Sequence, residues 1–303
     1  MQTIDAPSRR LENGRRATTP AGDNLLLDFA RTEATAAATL ARAAGGRVAD
    51  VDDLGMVMSD AGSPCPFGNV THLTRPLDPD ETGTAAEILC GFYGKGTGGP
   101  FLVFSPSHTG DLRRWGFGLV GHPPFMLRPA VAPGATAGAG AVAREDSDPH
   151  AEGLRIVEVR TPAVLADFER TLIDAYPAPE LAPFGSAHRL FGHDLLDSAW
   201  RLFVGYVDDE PVATASGFAR DRVVVVEAVS TRPAHRGRGY GAAMTSAALH
   251  TAPGLPSALI ASDQGRRVYE ALGFLPVTRY TLWVGRRDDG AGAVGMRRTP
   301  SST

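Results

Sequence analysis

The chain has 303 residues, of which 43% are hydrophobic and 21% are charged, and its formal net charge is −4. This length predicts about two domains, and the apolar fraction is sufficient for each of them to bury a core. The slightly acidic balance argues against a protein that holds nucleic acid through phosphate contacts.

The sequence contains neither a membrane-spanning segment nor a recognisable signal peptide. No apolar run approaches the roughly 18 residues that a membrane helix needs. No apolar segment follows the arginines near the start of the chain. Cys65 and Cys90 are the only cysteines, and their spacing favours two reduced thiols over a disulfide. We therefore expect a cytoplasmic protein.

The first half of the chain predicts a domain at 22–130, after a polar segment at 1–21 that we expect to be disordered. Apolar periodicity and glycine or proline breaks define its elements. They are a helix at 24–44, strands at 54–58 and 69–73, a helix at 84–93, a strand at 100–104, a helical face of Leu112, Trp115 and Leu119, and a partial strand at 122–129. A glycine string at 94–99 separates a helix from a strand, so we interpret it as a loop.

Residues 131–151 are rich in alanine, glycine and proline and predict a flexible linker. We place a second domain at 152–287 and a disordered tail at 288–303. The predicted elements are a strand at 154–160, a helix capped by Thr161, strands at 200–207, 211–219 and 223–230, a helix from Tyr240, a strand at 257–261, a helix capped by Asp263, and a strand at 274–284. This order predicts an α+β fold with helices on both faces of a sheet.

A hydrophobic strand, a glycine-rich turn and a helix follow one another at 223–249. The turn has the sequence RGRGYG, and the apolar residues after it repeat with a helical period. The first amides of a helix and its dipole attract anions, and Arg236 and Arg238 add positive charge. The segment predicts a diphosphate site, although an ordinary strand-to-helix turn can have the same composition.

Within this turn, Arg236, Gly239 and Gly241 form the pattern R-x-x-G-x-G, with Pro233 just before it. Neither a Walker loop nor the dinucleotide fingerprint G-x-G-x-x-G occurs here. The pattern resembles the acetyl-coenzyme A (acetyl-CoA) loop of the GNAT superfamily of N-acetyltransferases, and the resemblance extends over 154–284. It implies a mixed, mostly antiparallel sheet flanked by helices. The similar element order of the first half implies a tandem protein whose first domain is a degenerate GNAT-like domain without a cofactor loop.

The resemblance also implies that acetyl-CoA is the co-substrate, and it assigns the contacts. The pantetheine arm and the acyl oxygen would bind the backbone of Val229, Ser230 and Thr231. The pyrophosphate would bind the turn, which comprises Arg236, Gly237, Arg238, Gly239, Tyr240, Gly241 and Ala242. Asp263 stands where many members of the family have an asparagine that bonds the cofactor arm, although helix capping alone can explain an aspartate.

Two residues are candidates for acid–base catalysis. Tyr269 resembles the family's tyrosine beside the CoA sulfur, which would protonate the leaving thiolate; otherwise it is a core aromatic between Val268 and Leu272. Glu227 is the one charge in an apolar strand, and burial would raise its pKa towards the range of a general base. The alternatives for Glu227 are a solvated face and an ion pair with Arg222.

Three histidines are further candidates. His188 and His193 lie in the loop predicted to line the acceptor side and are second choices for the base. His235 lies in the cofactor loop and is expected to contact phosphate rather than to act as a base. The sequence shows no metal-binding spacing of cysteine and histidine, so no metal is expected.

The sequence thus predicts an acyl-CoA-dependent N-acyltransferase that transfers an acetyl group directly to a primary amine of a small molecule or amino acid. Neither a nucleic acid nor a membrane is an expected partner, and a homodimer is left open. The alternative is a non-catalytic acyl-CoA-binding sensor, which needs the glycine turn but neither Glu227 nor Tyr269.

Overall fold

A computed structural model describes residues 25–130, 152–176, 179–181, 184, 190–220 and 222–287. The segments predicted as disordered ends and linker, 1–21, 131–151 and 288–303, lie outside these residues. The helices are α1 (Leu25–Ala43), α2 (Glu81–Tyr93), α3 (Pro162–Ala175), α4 (Tyr240–Leu249) and α5 (Arg266–Ala271). The strands are β1 (Arg47–Val51), β2 (Met56–Asp60), β3 (Asn69–Leu73), β4 (Phe101–Ser105), β5 (Gly118–Gly121), β6 (Pro124–Arg128), β7 (Arg155–Glu158), β8 (Trp200–Val207), β9 (Glu210–Arg220), β10 (Val223–Thr231), β11 (Ser257–Ile260), β12 (Leu275–Arg279) and β13 (Thr281–Gly285). None of the described helices is both long and apolar enough to cross a bilayer.

The first sheet has six strands in the order β1-β2-β3-β4-β13-β5. Its neighbours are antiparallel except for β3 and β4, which run parallel. Helix α2 buries Leu89 and Tyr93 against this sheet, and the ring of Tyr93 stacks on Phe101 with 3.9 Å between centroids. This packing forms one of the two main cores.

The second sheet has seven strands in the order β12-β6-β11-β10-β9-β8-β7, and only β10 and β11 are parallel. Helix α3 begins as predicted, because Thr161 Oγ1 accepts a hydrogen bond from the Val164 amide and Pro162 occupies the first turn. Helix α4 buries Met244 and Ala248 against β9 and its neighbours. The predicted α+β class, with mixed, mostly antiparallel sheets flanked by helices, is confirmed.

The two halves of the chain exchange strands. Strand β6 comes from the first half and pairs with β11 and β12 in the second sheet. Strand β13 comes from the end of the described chain and pairs with β4 and β5 in the first sheet. The prediction that 274–284 completes one sheet is therefore wrong, since the chain leaves the second sheet at Tyr280 and enters the first.

A second correction concerns the helical face predicted from Leu112, Trp115 and Leu119. Leu112 precedes a single 3₁₀ turn that ends at Gly116, whose φ of 86° no helix accommodates. Leu119 lies in strand β5 and pairs with β13. The three apolar residues have a helical spacing in the sequence, but two of them lie at a turn and the third lies in a strand.

Helix α1 lies between the two sheets and contacts β2 and β3 on one side and β10 on the other. Its Phe29 ring meets Phe125 of β6 with 4.8 Å between centroids. The indole of Trp200 donates to the carbonyl oxygen of Ala36 at 3.2 Å. One helix of the first half therefore supplies part of the wall behind the second sheet.

The glycine string at 94–99 wraps a buried ion-pair cluster. Arg287 Nη2 lies 2.6 Å from Asp60 Oδ1, and their side chains are only 6% and 2% exposed. Arg47 contacts the other oxygen of Asp60 at 2.6 Å. A Cβ on Gly96 would lie within 2.4 Å of these side chains, so a larger residue there would displace the ion-paired groups. The string closes over this cluster and is a loop, as predicted.

Candidate active site

The parallel strands β10 and β11 separate at the centre of the second sheet. They pair only at Val224–Ser257 and Val225–Ala258, and no described strand pairs with β10 on that side beyond Val225. The main-chain groups at the end of β10 therefore face an opening rather than a neighbouring strand. An extended ligand can bind such an edge through backbone hydrogen bonds.

A β-bulge shapes β10 at this opening. The register with β9 shifts between Glu227 and Ser230, and Ala228 has a φ of 51°, which is rare for a residue other than glycine. The Ser216 hydroxyl donates to the carbonyl oxygen of Glu227 at 2.9 Å. Bulges of this kind redirect side chains near functional sites. Here the bulge follows directly on Glu227.

The RGRGYG turn leads into α4. Gly237 and Gly239 have φ values of 78° and 80°, which favour glycine at both positions. Among the described residues, the Ala242 amide already donates to the Gly239 carbonyl at 3.0 Å, whereas the amides of 237–241 make no backbone hydrogen bond. Unpaired amides at the head of a helix are the donors that an anion site requires, and the sequence predicts such a site here.

The space in front of the turn is open. A Cβ built on Gly237 would meet nothing within 4 Å, and one on Gly241 would meet only Thr231 Oγ1 at 3.9 Å. Arg238 is exposed beside this space. The turn therefore has both donors and room for a phosphate group.

The two other basic residues of the loop have different surroundings. Arg236 spans the base of the loop, since Nε donates to Thr231 O at 3.1 Å and Nη2 donates to Ala175 O at 2.9 Å. These bonds hold the end of β10 against the end of α3. His235 Nδ1 is buried without a hydrogen-bond partner among the described residues.

Glu227 meets a second carboxyl from the first half of the chain. Its side chain hydrogen-bonds to that of Glu33 on α1. The other oxygen of Glu33, Oε2, lies 3.4 Å from His72 Nδ1 on β3, and both atoms are buried without a hydrogen bond in the described chain. Arg222, the alternative ion-pair partner for Glu227, forms an ion pair with Asp28.

Burial controls the protonation of this cluster. It raises the pKa of Glu33 to about 8, and burial together with the negative charge of Glu33 raises the pKa of Glu227 to about 8. Burial also lowers the pKa of His72 to about 4, so the imidazole is neutral near pH 7. The pair therefore retains a proton at a pH where exposed glutamates are fully ionised.

Tyr269 lies on the short helix α5. Its ring packs against Phe274 with 5.9 Å between centroids, and it is partly buried in the core around α4. Burial, and to a smaller extent the charge of Tyr176, raises the pKa of Tyr269 above its ordinary value. The phenol is therefore protonated at neutral pH and can donate a proton.

Asp263 does not cap α5, which corrects the sequence prediction. The helix begins after Gly265, whose amide donates to the Ser262 hydroxyl at 3.1 Å. The Asp263 side chain is 83% exposed and lies 3.9 Å from Arg279. His193 is exposed in a short 3₁₀ turn, and His188 lies outside the described residues.

Sequence reasoning missed Glu33 and His72. Both lie in the half that carries no recognisable loop, and neither belongs to a motif. The one signal available was a glutamate within the alanine-rich run of α1, on its buried face. No described group of three or more histidine, cysteine, aspartate or glutamate side chains is arranged to hold a metal ion.

Residues 165–274 match the model of the acetyltransferase (GNAT) family. A solved structure of a GCN5-related N-acetyltransferase from Kribbella flavida is 20% identical, covers 84% of this chain and 95% of its own, and has a TM-score of 0.55. A functionally unknown conserved protein from Staphylococcus epidermidis is 14% identical over 78% and 93%, with a TM-score of 0.54. These structures share the fold of both halves. No curated protein matches the sequence.

Proposed function

The chain contains a GNAT acetyltransferase domain at residues 165–274, and from this premise we propose that it is an N-acetyltransferase. The donor is acetyl-CoA, and the acceptor is the primary amine of a small molecule or an amino acid. The observation that carries the proposal is the row of unpaired amides at 237–241, which stands beside the unpaired edge of β10.

In this proposal the donor follows the opening between β10 and β11. The pyrophosphate binds the amides at the head of α4, because the helix dipole and the unpaired N–H groups both favour an anion there. The pantetheine arm and the acyl oxygen bind the main chain of Val229, Ser230 and Thr231. Arg238 stays beside the phosphates, whereas Arg236 contributes by holding the loop to β10 and α3.

The catalytic groups divide the proton transfers between them. Glu227 accepts a proton from the acceptor ammonium, so that the amine nitrogen can attack the thioester carbon. The carbon–nitrogen bond forms, the carbon–sulfur bond breaks, and Tyr269 donates its proton to the departing sulfur. The attacking nitrogen releases its second proton, which replaces the one that Tyr269 has given to sulfur, and Glu227 releases its proton to solvent.

Aromatic groups from both halves support an amine acceptor next to Glu227. Phe67 and Tyr176 form a T-shaped pair with 5.6 Å between centroids, and both rings are partly exposed. Burial, and to a smaller extent the charge of Glu227, raises the pKa of Tyr176, which supports a position of this aromatic pair within the field of the proposed base. An amine with an apolar or aromatic body would bind such a surface through its body and present its nitrogen to the carboxylate.

The test is a turnover assay with the purified full chain. Acetyl-CoA is incubated with a panel of primary amines, and the released thiol is measured. Thiol release that depends on an amine supports the transferase, and Glu227→Gln and Tyr269→Phe should each reduce it. Tight binding of acetyl-CoA without amine-dependent thiol release would instead support the sensor.

A further inference from the structure

We propose that Glu33 on α1 is the positioning and proton-sharing partner of Glu227, so that the base of the reaction is a carboxyl pair assembled from both halves of the chain. The inference rests on the proposed function and adds a residue that lies outside the matched family domain. It also gives the first half a role in the chemistry of the second.

The contacts that support the pair are local and specific. Glu33 is only 4% exposed and hydrogen-bonds to the side chain of Glu227. Its remaining oxygen faces His72 Nδ1 at 3.4 Å, and the His72 ring is fixed by stacking on Phe104 with 5.2 Å between centroids. A buried carboxyl without a cationic partner is costly, so this arrangement requires an explanation beyond packing.

Sharing one proton resolves that cost. Two carboxyls in contact cannot both ionise easily, so one proton bridges them and the pair carries a single negative charge. The shared proton can lie on either carboxyl, and when it lies on Glu33 the other oxygen of Glu227 accepts the amine proton. The pair returns the amine proton to solvent after each turnover. The step involves no oxidation or reduction and needs no additional reactant.

Among the described residues, the groups that act on the pair carry no permanent positive charge. His72 on β3 faces Glu33, Tyr176 at the end of α3 is affected by the charge of Glu227, and Tyr280 before β13 has a buried hydroxyl whose pKa is raised by burial and by Glu33. Asp28, the other carboxylate of α1, forms an ion pair with Arg222. An incoming ammonium group would therefore be the cation that matches the charge of the pair.

The substitution Glu33→Gln separates this role from a structural one. Glutamine keeps the size and can donate a hydrogen bond to Glu227, but it carries no negative charge. The loss of that charge favours ionised Glu227, so we expect the acid limb of the pH profile of kcat/KM to move to lower pH by about one unit or more. Glu87→Gln is the control, since Glu87 is exposed on α2 and should leave the profile unchanged.

A second readout does not depend on turnover. Carbon-13 NMR of the full chain labelled at the glutamate side-chain carboxyls follows Glu33 and Glu227, each assigned by its loss in the corresponding glutamine variant. Glu33→Gln should move the Glu227 titration to lower pH, and Glu227→Gln should displace the Glu33 titration. Each variant removes a different carboxyl of the pair. If one variant folds poorly, the titration of the remaining carboxyl in the other variant still tests the pair.

The outcomes are distinct. The carboxyl pair is refuted if Glu227 titrates at its wild-type pH in Glu33→Gln and Glu33 titrates at its wild-type pH in Glu227→Gln. It is also refuted if Glu33→Gln lowers the melting temperature without changing the pH profile or the titration of Glu227. If no amine supports turnover but the titrations remain coupled, the proposed function fails while the pair stands. Coupled titrations together with the shifted pH profile support both.

Discussion

Thr214 on β9 holds the bulge of β10, because its hydroxyl donates to the carbonyl oxygen of Ala228 at 2.7 Å. Thr214 Oγ1 also lies 2.7 Å from the Ser230 hydroxyl, which must be the donor of this second bond because the Thr214 proton is already given to Ala228. Thr214 is fully buried, so water cannot replace either bond. One side chain therefore fixes the main chain that separates Glu227 from the proposed acyl site.

We predict that Thr214→Val destabilises the fold by about 1–3 kcal/mol, because it leaves buried polar groups of Ala228 and Ser230 unpaired. Turnover should fall as well, since the bulge loses its anchor. Chemical denaturation and the thiol-release assay measure the two effects. Thr214→Ser restores the hydroxyl and should recover most of the turnover; equal turnover in the valine and serine variants would refute the role of the hydroxyl.

The glycine turn allows a matched comparison. Gly237 and Gly153 have φ values of 78° and 81°, and a Cβ at either position would meet nothing within 4 Å. Alanine should therefore cost about 1–2 kcal/mol of stability at both positions. Only Gly237→Ala should also weaken CoA binding, by roughly tenfold, because its methyl group enters the proposed phosphate site.

Isothermal titration calorimetry with CoA checks this comparison. Gly153→Ala should keep the wild-type affinity, which separates backbone strain from ligand contact. Equal CoA affinities in the two alanine variants would place the phosphate elsewhere.

Tyr269→Phe should lower kcat by about 10²-fold or more, while the affinity for CoA changes little. The phenol provides a proton to the leaving sulfur, and phenylalanine keeps the packing against Phe274. Steady-state thiol release and CoA titration measure the two quantities. Tyr206→Phe is the control, since it removes a hydrogen bond to Asp167 that lies outside the site. An unchanged kcat would remove Tyr269 from the mechanism.

The carboxyl pair also predicts how stability depends on pH. The folded-state pKa values of Glu33 and Glu227 are raised, so the folded chain binds protons that the unfolded chain has released. Their stabilising contribution is complete below the ordinary glutamate pKa and is lost as pH rises through about 8. His72, with a pKa lowered to about 4, opposes this trend only below its ordinary value of 6.5.

Between pH 6.5 and 8, the free energy of unfolding should therefore fall, by about 2 kcal/mol for each proton that the folded chain retains. Denaturant titrations at several pH values measure this slope. Glu33→Gln should flatten it. A slope that is identical in the wild type and in this variant would show that Glu33 is not the group that titrates.

Arg287 should be the strongest single determinant of the strand exchange. Its guanidinium group lies 2.6 Å from Asp60 and also donates to the Tyr93 and Gly99 carbonyls. Arg287→Ala should cost about 3–5 kcal/mol, because it removes a partner from a buried carboxylate. The exposed Arg113 pairs with Asp111, and its alanine variant should change the free energy of unfolding by less than about 1 kcal/mol.

Local sequence patterns were sufficient to predict many elements of both sheets. The predicted strands at 200–207 and 69–73 coincide with β8 and β3, since alternating or continuous apolar residues and flanking turns define them. The glycine turn was predicted because glycine and arginine at fixed spacing have a direct backbone consequence. Strand β1 was missed because RVADV has too few apolar residues to show a period.

Long-range pairing could not be predicted in this way. Leu275 begins β12 and Thr281, six residues later in the sequence, begins β13, yet these two strands belong to different sheets. The local sequence pattern does not determine which distant strand pairs with β12 or with β13. Glu33 was missed for the same reason, because its role depends on a contact with Glu227 almost two hundred residues away along the chain.

Mass spectrometry of the acceptor after incubation with acetyl-CoA tests the central claim most directly. The account predicts that a primary amine gains an acetyl group on nitrogen with the wild-type chain, and gains far less with Glu227→Gln at equal CoA affinity. If the wild-type chain binds acetyl-CoA and leaves every amine of the panel unmodified, acetyl transfer is contradicted.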